Sequence, residues 1–255
     1  MGRYKDSSII SIDVCVASYN GCKYIEAQFD SIFSQTVSVD RIIVSDDAST
    51  DETISLLKGM VRSDMTIISN MENIRHVRNF ERALLQSTSD FIFLSDQDDL
   101  WLPNKIERVM SVFYDNPDVS IVHHNISTVD VDGRLLQKSY LPLEPGVQSP
   151  AGFVLQEFIR PRLFGCAMAI RRSVLDILLP FPSCVYAHDH WIALASACAG
   201  KVYFLDEDLI LYRQHDNNLT PKFRRPFPVI ISSRFSFIKM VIYAFLRGLS
   251  IRKVK

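Results

Sequence analysis

No charge of one sign dominates this chain: 28 Lys and Arg stand against 29 Asp and Glu over 255 residues, for a net charge of -1. Nucleic acid is therefore not expected as a partner, and any basic surface must be local. Cysteine is sparse and odd in number. Cys15, Cys22, Cys166, Cys184 and Cys198 show no metal-type pairing, and point to reduced, mostly buried thiols in a cytosolic protein. A charged-then-apolar leader is missing, because Ile9 and Ile10 are followed at once by the polar Ser11 and Asp13. Met1-Gly2 opens like a myristoylation signal, but Asp6 stands where Ser or Thr is wanted. The apolar run from Phe235 to Leu246 is broken by Lys239 and falls short of the about 20 residues of a membrane span. What remains is a globular composition, 47% hydrophobic and 22% charged, with room for one large domain or a domain with an appendage.

The chain is organised around Phe91-Ile92-Phe93-Leu94-Ser95 and the Asp96-Gln97-Asp98-Asp99 that follows. The apolar run reads as a buried strand that delivers a burst of carboxylates at its C-terminal end. Like charges this close raise one another's pKa unless a cation compensates, so Asp96 and Asp98 flanking Gln97 suggest a divalent metal held by hard oxygen ligands. The alternative is a solvated acidic loop that caps the helix beginning near Pro103.

Strand and helix patterns alternate before it. Ile9 to Ala17 and Arg41 to Val44 read as strands, as does Thr66 to Ser69. Ile25, Phe29, Ile32 and Phe33 recur at helical spacing, Ile54, Leu57 and Met60 lie on a helix that Thr50 or Asp51 can cap, and Asn79 to Gln86 makes a third helix. The alternation predicts an α/β fold, a single Rossmann-like, mostly parallel sheet flanked by helices, with ligands at the strands' carboxyl ends. Ser18 to Gly21, Asp46 to Asp51 and Asp96 to Asp99 all fall there, which strengthens the metal-site reading.

Beyond, Ile106, Val109, Met110 and Phe113 mark a helix closed by Asn116-Pro117, Val119 to His123 a strand, and Val131-Asp132-Gly133-Arg134 a hairpin turn. A polar, Pro-rich surface loop is expected up to Pro150, then a short helix from Ala151 to Ile159, a strand from Gly165 to Ile170 and a helix to Leu179. His188, Asp189, His190 and Trp191 open a helix ending at Gly200, and Val202 to Leu205 and Leu209 to Tyr212 read as two last strands before His215.

From Pro221 the character changes, dividing a domain over 1–220, which carries all the candidate site residues, from a tail over 221–255. Lys222, Arg224, Arg225, Arg234, Lys239, Arg247, Arg252, Lys253 and Lys255 alternate with apolar residues, and no acid follows Asp216. A basic amphipathic segment on an anionic membrane surface is expected, against the alternative of a C-terminal helix packed on the domain with its bases outside.

The stretches Ala17-Ser18-Tyr19-Asn20-Gly21, Ser45 to Asp51, Ser95 to Lys105, His188 to Trp191 and Tyr212 to His215 together resemble, in order, the inverting GT-A glycosyltransferases of family two, in particular the rhamnosyltransferase-like branch of bacterial surface polysaccharide assembly. The resemblance runs from about Ser11 to Asn218. It implies a peripheral enzyme on the cytoplasmic face of the inner membrane, taking a nucleotide-sugar donor of the dTDP-rhamnose or UDP-sugar class and a glycan or lipid-linked acceptor. By this resemblance Ala17, Ser18 and Tyr19 hold the nucleotide, Asp46 or Asp47 accepts hydrogen bonds from base or ribose, and Asp96, Gln97 and Asp98 form the motif that binds Mg2+ or Mn2+ against the diphosphate. His215 resembles a further metal ligand, Asp189 the general base, and His188 and Trp191 the acceptor side, with Trp191 stacking on a sugar. Ala48 stands where the family more often has Gly, which suggests a turn without positive φ. Two other readings compete: a metal-dependent nucleotidyltransferase, for which Ser18 to Lys23 is a poor substitute for a Gly-rich basic loop, and a non-catalytic membrane-docked subunit.

Overall fold

The computed structural model describes residues 4–5, 8–141, 144–215, 218 and 226–252. Met1, Gly2 and Asp6, and in the tail Asp216, Pro221, Lys222, Arg224, Arg225, Lys253 and Lys255, lie outside the described residues. The first half repeats strand and helix. After a small antiparallel pair, β1 (Tyr4–Lys5) and β2 (Ser8–Ile9), come β3 (Ile12–Ser18), α1 (Ile25–Phe33), β4 (Arg41–Asp46), α2 (Thr53–Gly59), β5 (Met65–Ser69), α3 (Arg75–Leu84) and β6 (Phe91–Ser95). β6, β3, β4 and β5 lie side by side in parallel. Every residue of β6 is buried, because helices cover the sheet and leave no face for polar side chains. Ile25, Phe29 and Ile32 of α1 and Phe80, Ala83 and Leu84 of α3 supply that cover.

The second half contains β7 (Leu100–Trp101), α4 (Lys105–Asp115), β8 (Val119–Val129), β9 (Leu135–Gln137), β10 (Gly146–Gln148), α5 (Pro150–Ile159), β11 (Met168–Arg171), α6 (Leu175–Leu178), α7 (His188–Ala199), β12 (Lys201–Arg213) and α8 (Phe227–Arg252). The sheet order is β10-β12-β8-β11-β6-β3-β4-β5, with β7 on β12 and β9 on β8. This corrects the expectation of a mostly parallel sheet. β8 and β12 are parallel, but β11 runs antiparallel to both its neighbours, and β7, β9 and β10 are antiparallel to theirs. A buried strand reads as an apolar run whichever way it points, so direction is not in the pattern.

Three further expectations change. Gly165–Ala167 is a 3-10 turn and only Met168–Arg171 is strand. The expected surface loop before Pro150 carries β9 and β10. The two last strands are one, β12, whose register against β8 shifts on either side of Asp208. The polar Asp206, Glu207 and Asp208 mark that irregularity and interrupt the apolar pattern of a continuous strand.

The tail is corrected more deeply. α8 is a 26-residue helix, and Phe227–Ile251 is long and apolar enough to cross a membrane by length and composition. It packs on α6 and α7 through Phe237, Met240 and Ala244, which are buried. Two of its arginines turn inward: Arg247 donates to the carbonyls of Ile177, Leu178 and Pro180, and Arg234 to that of Ile159. Phe235, Ile242, Phe245 and Leu246 face outward instead. Helix-terminal carbonyls of α5 and α6 explain this inversion, since they lack intrahelical donors and guanidinium groups satisfy them.

Candidate functional site

The carboxyl ends of β3, β4 and β6 meet at one edge of the sheet, and the end of β12 joins them. The loop after β3 is knitted to its neighbours by consecutive main-chain N–H groups. Tyr19 N donates to Gln97 Oε1 (2.7 Å), Asn20 N to Ser49 Oγ (2.9 Å), Gly21 N to Thr53 Oγ1 (2.8 Å) and Cys22 N to Asp51 Oδ2 (3.2 Å). None of these four is left to cradle a phosphate, which removes the loop a nucleotidyltransferase would use. Gln97 also donates to Tyr19 O (2.9 Å), so its amide is spent as a two-bond clamp. The clamp needs Gly21, because a Cβ there would lie 2.3 Å from Gln97 Oε1. Tyr19 stays 45% exposed, available to stack on a planar ligand.

Asp46 and Asp47 are 0% and 2% exposed. Asp46 accepts from Ser18 Oγ (2.8 Å), Ser49 N (2.9 Å) and Ser49 Oγ (2.6 Å), and Asp47 from Asn70 Nδ2 (2.9 Å) and Ile74 N (2.7 Å). They brace loops instead of presenting oxygens to a cleft. The N-cap of α2 is Glu52, without a side-chain capping bond, so neither Thr50 nor Asp51 is the cap; Asp51 accepts from Thr53 N (3.0 Å) just before the helix. Ala48 corrects the expectation drawn from its lack of a glycine: its φ is +60°. The Asp46 bonds to Ser49 on one side of the turn hold it in that left-handed conformation.

The acidic loop offers two sets of ligand atoms. His215 Nε2 lies 2.8 Å from Asp98 Oδ2, with the His215 ring stacked on Tyr24 at 5.2 Å. Asp96, Asp99 and Cys166 bring one ligand atom each to within 4.8 Å of one another. Burial, reinforced by the charges of Asp98 and Asp189, pushes Asp96 up to about 7, and burial with Asp98 and Asp96 pushes Asp99 well above the usual carboxylate range. Asp99 Oδ1 accepts from Arg213 N (3.1 Å), while its buried Oδ2 has no hydrogen-bond partner. Burial also holds the Cys166 thiol protonated, so the donors suited to a hard cation are the carboxylates and the His215 imidazole. A desolvated acid with an unpaired oxygen fits Mg2+ or Mn2+. Beneath, Lys105 is wholly buried, donates to Cys166 O (2.8 Å), and lies 3.7 Å from the Trp101 ring centre; burial draws it down to about 7. Asp99, Cys166, Lys105 and Tyr24 carried no assigned role in the sequence. Adjacency to Asp98 was the one available signal, for Asp99.

Asp189 is the second residue of α7, and the N-cap is Ala187, so Asp189 is not the cap. Its Oδ1 accepts from His190 N (2.7 Å). His188 stacks on Phe80 at 4.1 Å, and burial draws it down to about 4, hence neutral. A Cβ at Gly165 would lie 2.4 Å from its Nε2. Trp191 is corrected: it is 0% exposed, donates from Nε1 to Leu178 O (3.0 Å), and cannot stack on a sugar. Two positions along a helix turn a side chain by about 200°, so Trp191 lies on the face opposite Asp189, here in the core.

Glycosyl transferase family 2 matches residues 13–179, well over half of the chain. The chain belongs to glycosyl transferase family 2. Among relatives of this family 2 chain, an uncharacterized glycosyltransferase of Nostoc sp. is 25% identical over 82% of this chain and 66% of its own length. The dTDP-rhamnosyl transferase RfbG of Shigella flexneri is 27% identical over 80% of this chain and 72% of its own. The chain thus spans about two thirds of the length of these two relatives. S. aureus TarS in complex with UDP-GlcNAc is similar in fold, with a TM-score of 0.68 at 16% identity, over 94% of this chain and 73% of that one.

Proposed function

We propose that the chain is an inverting glycosyltransferase that moves a sugar from a nucleoside diphosphate to a hydroxyl of a glycan or lipid-linked acceptor in surface polysaccharide assembly. The observation that carries this reading is the acidic loop at the carboxyl end of β6, where Asp98 meets His215 and Asp96 lies beside Asp99, in a chain of glycosyl transferase family 2; the base we assign is Asp189, in the first turn of α7. Inversion needs a base on one side of the anomeric carbon and a stabilised leaving diphosphate on the other.

In the proposed reaction, Tyr19 stacks on the base, and Ala17 and Ser18 line the nucleotide side, held by Asp46. Asp96, Asp98 and His215 are the metal ligands we assign, with Asp99 behind them. When bound, Mg2+ or Mn2+ supplies positive charge to the departing diphosphate. The acceptor oxygen attacks the anomeric carbon as the bond to the diphosphate oxygen breaks, and Asp189 Oδ2 takes the hydroxyl proton, its Oδ1 being engaged by His190 N. His188 orients this side without carrying charge. The donor classes we favour are dTDP-rhamnose and UDP-sugars, which the names of RfbG and of the TarS complex support. The outward apolar face of α8 is proposed to lie on the cytoplasmic face of the membrane.

The test is Asp189→Asn, assayed with a panel of dTDP- and UDP-sugars and a membrane-lipid extract as acceptor source. Transfer should fall by about 100-fold or more while nucleotide binding stays within about twofold. Undiminished transfer would remove Asp189 from the chemistry.

A further inference from the structure

Between α5, α7 and α8 runs a groove of about 710 Å3. Val154, Phe158, Leu194, Ala197, Val241 and Phe245 are among its walls, and no charged residue lines it. The wall that α8 contributes is continuous with that helix's outward apolar face, so a molecule leaving the groove there meets an apolar surface. The helix has no acid anywhere along it.

The groove is oriented towards the candidate base. Phe237, which lines it, packs against His190 at 6.1 Å and against Phe158 at 5.8 Å, and His190 directly follows Asp189. Along α7 the lining residues Leu194 and Cys198 stand, at about 1.5 Å per residue, roughly 7 to 14 Å from Asp189. One cation marks the same end. Arg234, half-buried and one turn before Phe237, lies 5.4 Å over the Phe158 ring and donates to Ile159 O at 3.2 Å. Phe158 also touches Phe237, which in turn touches His190, so the guanidinium sits at the end of the groove nearer Asp189. Its single described hydrogen bond leaves further N–H donors of the fork available.

We propose that this groove binds the hydrocarbon tail of an acceptor whose sugar is joined to its lipid through phosphate, with Arg234 meeting the phosphate and the sugar hydroxyl delivered to Asp189. The assignment rests on the reading of Asp189 as the base. It narrows the acceptor from a glycan or lipid-linked glycan to a lipid-phosphate-linked one. A peptide in the groove would bury backbone N–H and C=O groups with no polar partner. A free oligosaccharide would leave the apolar walls in water. A lipid tail satisfies both, and a cation at the groove's inner end complements the phosphate that must follow the tail.

The test uses the full chain and calorimetric titration with dodecyl phosphate, dodecyl maltoside and inorganic phosphate, each below micellar concentration. Wild type should bind dodecyl phosphate about tenfold tighter than the neutral dodecyl maltoside, and inorganic phosphate hardly at all. Ala151→Trp and Leu155→Glu, two exposed positions that fill or charge the groove, should each weaken both dodecyl ligands about tenfold. Arg234→Gln should abolish the preference for the phosphate. Leu246→Glu, on the outward face of α8, should change nothing. Wild-type binding in both groove variants, or equal weakening by Leu246→Glu, would place the tail outside the groove and overturn the proposal; so would an unchanged phosphate preference in Arg234→Gln. None of these readouts needs sugar transfer, so intact groove binding beside an active Asp189→Asn enzyme would sink the base assignment alone.

Discussion

His215 Nε2 and Asp98 Oδ2 meet at 2.8 Å across 117 residues of sequence, latching the end of β12 to the loop after β6. Arg213 completes the latch: its Nε donates to Asp98 O (3.1 Å), and its guanidinium lies 4.9 Å over the same Tyr24 ring that stacks on His215. Tyr24 is therefore a shared platform for two groups at the metal-binding edge. His215→Ala should weaken Mn2+ binding in the presence of a nucleoside diphosphate by about tenfold or more, and Tyr24→Ala by less. Equal Mn2+ affinity in wild type and His215→Ala would mean that the imidazole only tethers the loop.

Metal affinity should depend on pH. Burial and the charges around it hold Asp96 protonated up to about 7, and a cation requires the carboxylate, so binding must expel that proton. Below pH 7 the proton competes; above it the site is ready. Mn2+ affinity is expected to rise between about pH 6 and 8 with net proton release, visible as a buffer-dependent binding enthalpy. A flat profile would place the cation away from Asp96.

Ala48 is a built-in strain, an alanine at φ +60° where glycine meets no steric penalty. Ala48→Gly should raise stability by about 0.5–1 kcal/mol, the relieved strain being partly offset by the extra freedom of glycine in the unfolded chain. Thermal denaturation measures it, and a destabilised variant would show that the Ala48 methyl makes a contact outweighing the strain.

The tail should bind membranes by apolar contact. With Arg234 and Arg247 bonded to carbonyls of the domain and Phe235, Ile242 and Leu246 outward, binding to vesicles should survive a salt concentration that shrinks the Debye length to about 3 Å, and Leu246→Glu should weaken it. Release by salt alone, in vesicles containing phosphatidylserine, would restore the basic-surface reading.

The edge of the sheet was legible in the sequence because each of β3, β4 and β6 ends an apolar run in polar residues, and a parallel crossover brings such ends together. Directions were not: Met168–Arg171 looks the same in either orientation, and only its neighbours make it antiparallel. Nor were side-chain destinations. Trp191 and Asp189 are two positions apart on α7, and that spacing alone sends one into the core and leaves the other at the site. Gln97 sat inside a recognisable motif, yet its amide faces Tyr19. Arg247 has the pattern of a surface base, yet two carbonyls of α6 and that of Pro180 beyond it draw the guanidinium inward.

The most direct measurement is calorimetric titration of nucleoside diphosphates, with and without Mn2+, into wild type and Asp98→Ala. Binding that requires Mn2+ and is lost in Asp98→Ala is the predicted result, and the preferred base would then name the donor class. Binding indifferent to both the metal and Asp98 would contradict the account, because the acidic loop would then have no part in holding the diphosphate.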